Sequence, residues 1–104
     1  MSYLSASKLT FTPKWGDMSD DEQLAEQVAA YEIVNKFGGE IKAQHVLMTD
    51  GCLLSIIDYP DETASFKSEL AIVRRGAFVI QAQRALPLEE LMSWQDEVRV
   101  VAGK

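Results

Sequence analysis

"EIKAQHVLMTDGCLLSIID" (Glu40–Asp58) sets two mainly apolar runs on either side of an Asp-Gly pair. Asp-Gly between alternating apolar segments is the strongest short-range signal for a β-hairpin, because a two-residue turn needs positive φ at both positions. With Asp50 and Gly51 as the turn, Thr49 pairs with Cys52, Leu47 with Leu54, His45 with Ile56 and Ala43 with Asp58 on one face. Met48 with Leu53, Val46 with Ser55, Gln44 with Ile57 and Lys42 with Tyr59 form the other. Both faces are largely apolar, whereas an antiparallel sheet with one wet face alternates cleanly. Something must cover each face. Helices cover one, and a second copy of the chain is the simplest cover for the other, since two-fold homodimers are the commonest oligomers.

The segments around the hairpin supply those helices. "YLSASKLTFT" (residues 3–12) reads as a strand that Pro13 ends, and "PKWGDM" as a loop. Ser19 and Glu22 have the spacing of a capping box, so a helix runs from about Asp20 to Phe37, with Ala30, Ile33, Val34 and Phe37 on its buried face. Gly38-Gly39 ends it. Leu24, Val28 and Tyr31 make a separate stripe on the same helix. After Tyr59-Pro60-Asp61 a second helix carries Phe66, Leu70 and Val73 at helical spacing up to Gly76. "AFVIQAQRAL" (residues 77–86) is a fourth strand. Pro87 then opens a short C-terminal helix, with Leu88, Leu91, Met92 and Gln95 along one side. The order β-α-β-β-α-β plus a terminal helix predicts an α+β, ferredoxin-like domain over residues 1–104, with a four-stranded antiparallel sheet.

Composition removes several classes of function. The chain has 104 residues, 47% hydrophobic and 25% charged, as an ordinary globular domain does. A formal charge of -6 without a basic stripe excludes nucleic acid as an expected partner. No apolar run reaches the ~18 residues of a membrane span. One cysteine permits no internal disulfide, and no secretory signal is seen near Met1, so a cytoplasmic location is expected.

The hairpin also holds the only histidine and the only cysteine. In the register above, His45 and Cys52 lie four strand positions apart, about 13 Å, too far for a nucleophile and its base. Two such ligands are too few for a metal site, and none is expected. His45 and Asp58 are instead diagonal neighbours, at about 7 Å, and form the one candidate acid-base pair. Trp15, Tyr59 and Arg84 are candidate ligand-binding groups. No phosphate loop, nucleophile elbow or dinucleotide fingerprint is present, and no cofactor is expected.

"FGGEIKAQHVLMTDGCLLSIIDYPDETA" and "AFVIQAQRAL", followed by an acidic helix, resemble the GYD domain proteins of the dimeric α/β barrel group. The resemblance covers most of residues 37–91. The Gly-Tyr-Asp run that names the family is replaced here by Thr49-Asp50-Gly51-Cys52, so no role of that tyrosine or aspartate carries over. It implies a ferredoxin-like subunit and a sheet-to-sheet homodimer, with no assigned activity. Three functions are compatible with the residues: a dimeric module that binds a small molecule or a protein, a cofactor-independent monooxygenase- or isomerase-like enzyme with His45 as base and Asp58 orienting it, and haem ligation by His45.

Overall fold

The computed structural model describes residues 2–103. Its elements in chain order are β1 (Tyr3–Phe11), α1 (Pro13–Gly16), α2 (Asp20–Lys36), β2 (Glu40–Leu47), β3 (Cys52–Tyr59), α3 (Glu62–Arg74), β4 (Phe78–Arg84) and α4 (Leu88–Ala102). The strands form one antiparallel sheet in the order β2-β3-β1-β4, so the two β-α-β halves interleave in the ferredoxin-like manner. The single turn α1 falls in the stretch read as loop. Thr12 caps it, with Pro13 at its start, where the missing N–H costs nothing.

Local chemistry fixes the helix ends. Ser19 Oγ accepts from the Glu22 amide at 3.2 Å and the Glu22 carboxylate accepts from the Ser19 amide at 3.0 Å, the reciprocal box expected from the spacing. Asp61 Oδ1 accepts from the Ala64 amide at 2.7 Å and starts α3. Gly38, at φ 80°, ends α2 in the left-handed region.

Helices α2 and α3 cover the sheet face carrying Ser5, Ser7, Ser55, Ile57 and Tyr59. The core there gathers Ala30 and Val34 of α2, Ile57 and Tyr59 of β3, Ile72 of α3, and Ala77 and Phe78 at the start of β4. Helix α3 does not face the sheet as the periodicity predicts. Phe66, Leu70 and Val73 point outward, while Ser65, Ser68 and Ile72 are buried. Residues 65, 68 and 72 also keep helical spacing, and side chains as small as serine let the helix approach the sheet closely. Periodicity alone ranks the larger apolar stripe first and so selects the wrong face.

The hairpin also departs from its predicted register. Leu47 pairs with Cys52, His45 with Leu54 and Ala43 with Ile56, two positions away from the register of a two-residue turn. Asp50 does not take positive φ, and Gly51 alone does, at 63°. Residues 48–51 form a four-residue loop closed by the Gly51 amide on the Leu47 carbonyl at 2.8 Å. A shift of two keeps side-chain parity, so Ala43, His45, Leu47, Leu54 and Ile56 share one face as predicted, and that face is the outer one, away from α2 and α3. Between Ile41 and Ala43 the strand bulges at Lys42, and beyond it Glu40 faces Asp58.

The junction of α2 and β2 allows no side chain at Gly39. A Cβ there would lie 2.7 Å from both the Tyr59 ring and Val34 Cγ1, two buried groups. Gly39→Ala is expected to destabilise the chain by about 1–3 kcal/mol. Urea unfolding of the variant against wild type measures this, and an unchanged midpoint refutes the close approach.

Candidate functional site

The face beneath α2 and α3 has an unusual composition. Five serines, Ser5, Ser7, Ser55, Ser65 and Ser68, are buried among the apolar residues. Buried hydroxyls need partners, and each of these has one. Ser5 and Ser7 pair at 3.1 Å, and Ser68 accepts from Tyr59 Oη at 2.9 Å. Ser65 Oγ donates to Glu69 at 3.1 Å. Gln44 Nε2 donates to Ser55 Oγ at 3.2 Å, and Tyr31 Oη donates to Gln44 Oε1 at 3.1 Å.

Of these groups, Ser7, Ser55, Gln44, Tyr31, Tyr59 and Glu69 border one cleft between the helices and the sheet. Its walls are Leu9, Ala30, Val34, Ile41, Ile57, Ile72 and Ile80, and its polar lining is Ser7, Tyr31, Gln44, Ser55, Tyr59 and Glu69. Its atom-free space, counted out to open solvent, is about 370 Å³. The exposed Tyr31 and Gln44 stand where it opens. Ser7 and Ser55 are directly paired across β1 and β3, which puts two hydroxyls side by side in its floor.

No lysine or arginine lines this cleft, and its one ionisable carboxyl is Glu69. Burial pushes that carboxyl above the usual carboxylate range, and the hydrogen bond from Ser65 only partly opposes the shift. Burial likewise raises the Tyr59 phenol, against the pull of its bond to Ser68, and the nearby Glu69 charge adds to the rise. The cleft disfavours charge, negative charge above all.

The residues singled out in the sequence are distributed differently. Tyr59 lies in the cleft. Trp15 packs instead on Phe11, with ring centroids 4.7 Å apart, and on Phe78, at 5.2 Å, where it closes one end of the core. Arg84 is exposed, its guanidinium 5.7 Å from the centre of the Tyr3 ring. It borders a different depression, with Asp58, Pro87 and Glu90.

His45 and Asp58 are not diagonal neighbours. His45 faces Leu54, four residues from Asp58 along β3, so about 13 Å separates them and no acid-base pair forms. The same change of register makes Cys52 a diagonal neighbour of His45, at about 7 Å. The thiol is buried and the imidazole exposed, which does not make a nucleophile and base. Among the described residues no three His, Cys, Asp or Glu side chains come together to hold a metal, and no helix is long and apolar enough to cross a membrane.

The sequence held a signal for the cleft that periodicity passed over. Ser5 and Ser7 alternate in β1, Ser55 interrupts the apolar run of β3, and Ser65, Ser68 and Ile72 share one helical face. Small polar residues at several inward positions of facing elements mark a polar seam within a core. Glu69 belongs to this group, one residue after Ser68.

Glu69 makes a testable contribution to stability. The folded chain holds its proton more tightly than the unfolded chain does, so stability falls as pH rises through 4.5 toward the higher folded value. Glu69→Gln removes this dependence. The variant is expected to match wild type at low pH and to gain on it as pH rises to neutrality, read as the difference between their urea unfolding free energies. A constant difference across that range refutes the buried-carboxyl assignment.

No family model matches the chain. No curated protein matches it either. Among solved structures it is similar to YjcS, a structural-genomics protein, at 15% sequence identity and a TM-score of 0.50, over 83% of this chain and 97% of that one. At that identity the likeness concerns the fold alone, and with the strand order and helix placement it identifies the chain as an α+β protein of ferredoxin-like architecture.

Proposed function

We propose that the protein is a homodimeric small-molecule-binding module, each subunit receiving a mainly apolar, uncharged molecule in the cleft between α2, α3 and the sheet. The observation that carries this reading is the pairing of an apolar wall with buried serine hydroxyls and a carboxyl that resists ionisation. Apolar clefts with a few convergent polar groups are the usual make-up of ligand sites. Ser7 and Ser55 supply hydroxyls to orient a ligand's polar group, and the Glu69 carboxyl borders the same cleft. An anion meets no cation in the cleft and is excluded when Glu69 ionises.

The dimer forms through the outer sheet face, where Leu4, Ala6, Leu54 and Ile56 are only partly covered within one subunit. The resemblance of residues 37–91 to the GYD domain proteins agrees with such a dimer, and the absence of a disulfide partner for Cys52 agrees with a cytoplasmic location. A catalytic form of this reading places the acid-base role on Glu69 in place of His45, because Glu69 borders the cleft and His45 does not.

Benzyl alcohol and benzoate, alike in body and different in charge, test the site. At neutral pH and ten times its Kd, benzyl alcohol is expected to stabilise the fold by about 1.4 kcal/mol and raise Tm by about 5 °C, with benzoate leaving it unchanged. Ser55→Val is expected to weaken the binding about fivefold by removing one hydroxyl. Absence of any shift, equal shifts from both compounds, or unaltered binding to Ser55→Val overturns the assignment. Sedimentation of the purified chain as a monomer at all concentrations overturns the dimer.

A further inference from the structure

The largest feature without a role is α4. It spans 15 residues, about 22 Å, and buries none of them. The molecule measures 57 × 31 × 19 Å, far longer than broad. Leu88, Leu91, Met92, Trp94, Val98 and Val101 are all exposed and fall within one half of the helix circumference. Glu89, Asp96 and Glu97 occupy the other half.

An isolated helix of this length is marginal in water and needs packing to persist. The second half of α4 makes this acute, because Val98, Val100 and Val101 are poor helix formers. An anionic membrane surface does not suit the helix, since the amphipathic helices that bind one carry lysine and arginine on the polar face. The four strands with α2 and α3 make up the ferredoxin-like body without it.

We propose that α4 is an arm that docks on the outer sheet face of a second copy of this chain, each copy giving and receiving one arm. The inference rests on the dimer reading above. Where α4 begins favours this occupant. The depression at its root is bordered by Leu4 and Asp58, which point to the outer face, by Arg84, which shares the inner face with Ser5, and by Pro87 and Glu90. The root of the helix therefore adjoins outer-face residues that a second copy stacked there would cover.

The area argues the same way. Four strands of about eight residues present roughly 500 Å² of flat sheet, less than the ~800 Å² per partner of a stable interface. The outer face together with one helix face of about 22 by 10 Å, roughly 700 Å² for each partner, approaches that size. The same root holds an unsatisfied group: among the described residues, Asp58 Oδ1 is buried with no hydrogen-bond partner. A second copy stacked there brings donors to it.

Hydrogen exchange of the full-length chain at several concentrations, with sedimentation on the same samples, tests the arm. In the dimer the α4 amides are expected to exchange at least about a hundredfold more slowly than an unpacked helix, and to lose that protection on dilution to monomer. Leu91→Asp is expected to raise the dimer Kd at least tenfold while leaving exchange in β1 and β3 of the monomer unchanged. A dimer whose α4 exchanges freely, or whose affinity ignores Leu91→Asp, overturns the arm and leaves the sheet-to-sheet dimer standing. A chain monomeric at every concentration overturns both. Equal protection of α4 in monomer and dimer also overturns the arm, because the helix then packs on its own chain.

Discussion

The packing of α3 on the sheet through Ser65, Ser68 and Ile72 is the constraint on which the rest of the structure depends. The small side chains at 65 and 68 let the helix hydroxyls meet the inner face of the sheet beside Ile72. The hydroxyls then need partners away from water, and they find them in Tyr59 and Glu69. The interface that results is apolar at its walls and polar along a seam. Glu69 is drawn partly out of water with no cation beside it, which is why its carboxyl resists ionisation.

That arrangement trades core volume for chemistry. Five buried serines occupy positions where valine or leucine would add hydrophobic stabilisation. The body compensates at its ends. The Phe11, Trp15 and Phe78 cluster closes one end of the core, and Thr12 Oγ1 ties the α1 turn to the Gly76 carbonyl at 2.6 Å. Arg75 meets the Glu26 carboxylate through two hydrogen bonds, at 2.8 and 3.0 Å, and joins the end of α3 to α2. The elements around the cleft are thus held at their margins.

The two faces of the sheet divide the roles. The inner face builds the cleft. The outer face, with α4 projecting beside it, carries apolar surface that one subunit does not bury. The proposed dimer through that face would leave the cleft of each subunit on the opposite side, so the proposed assembly and ligand binding use different residues.

Element order, helix caps and strand parity were legible in the sequence because each depends on neighbours in the chain. Ser19 and Glu22 cap α2 through bonds three residues apart, and Asp61 does the same for α3. The partition of the hairpin into two faces survived an error in its turn, because a shift of two positions leaves every side chain on its own side. What followed from that register did not survive: the shift separated His45 from Asp58 and moved Cys52 toward His45. Turn length depends on the φ that Asp50 adopts, and Asp-Gly is compatible with either loop. The buried face of α3 was likewise open, since two stripes on it share helical spacing. The sequence by itself determined the α+β architecture, through local periodicity and capping. Only the tertiary structure decided which stripe of α3 meets the sheet and hence where the cleft lies, because that choice depends on how closely small side chains let two distant segments approach.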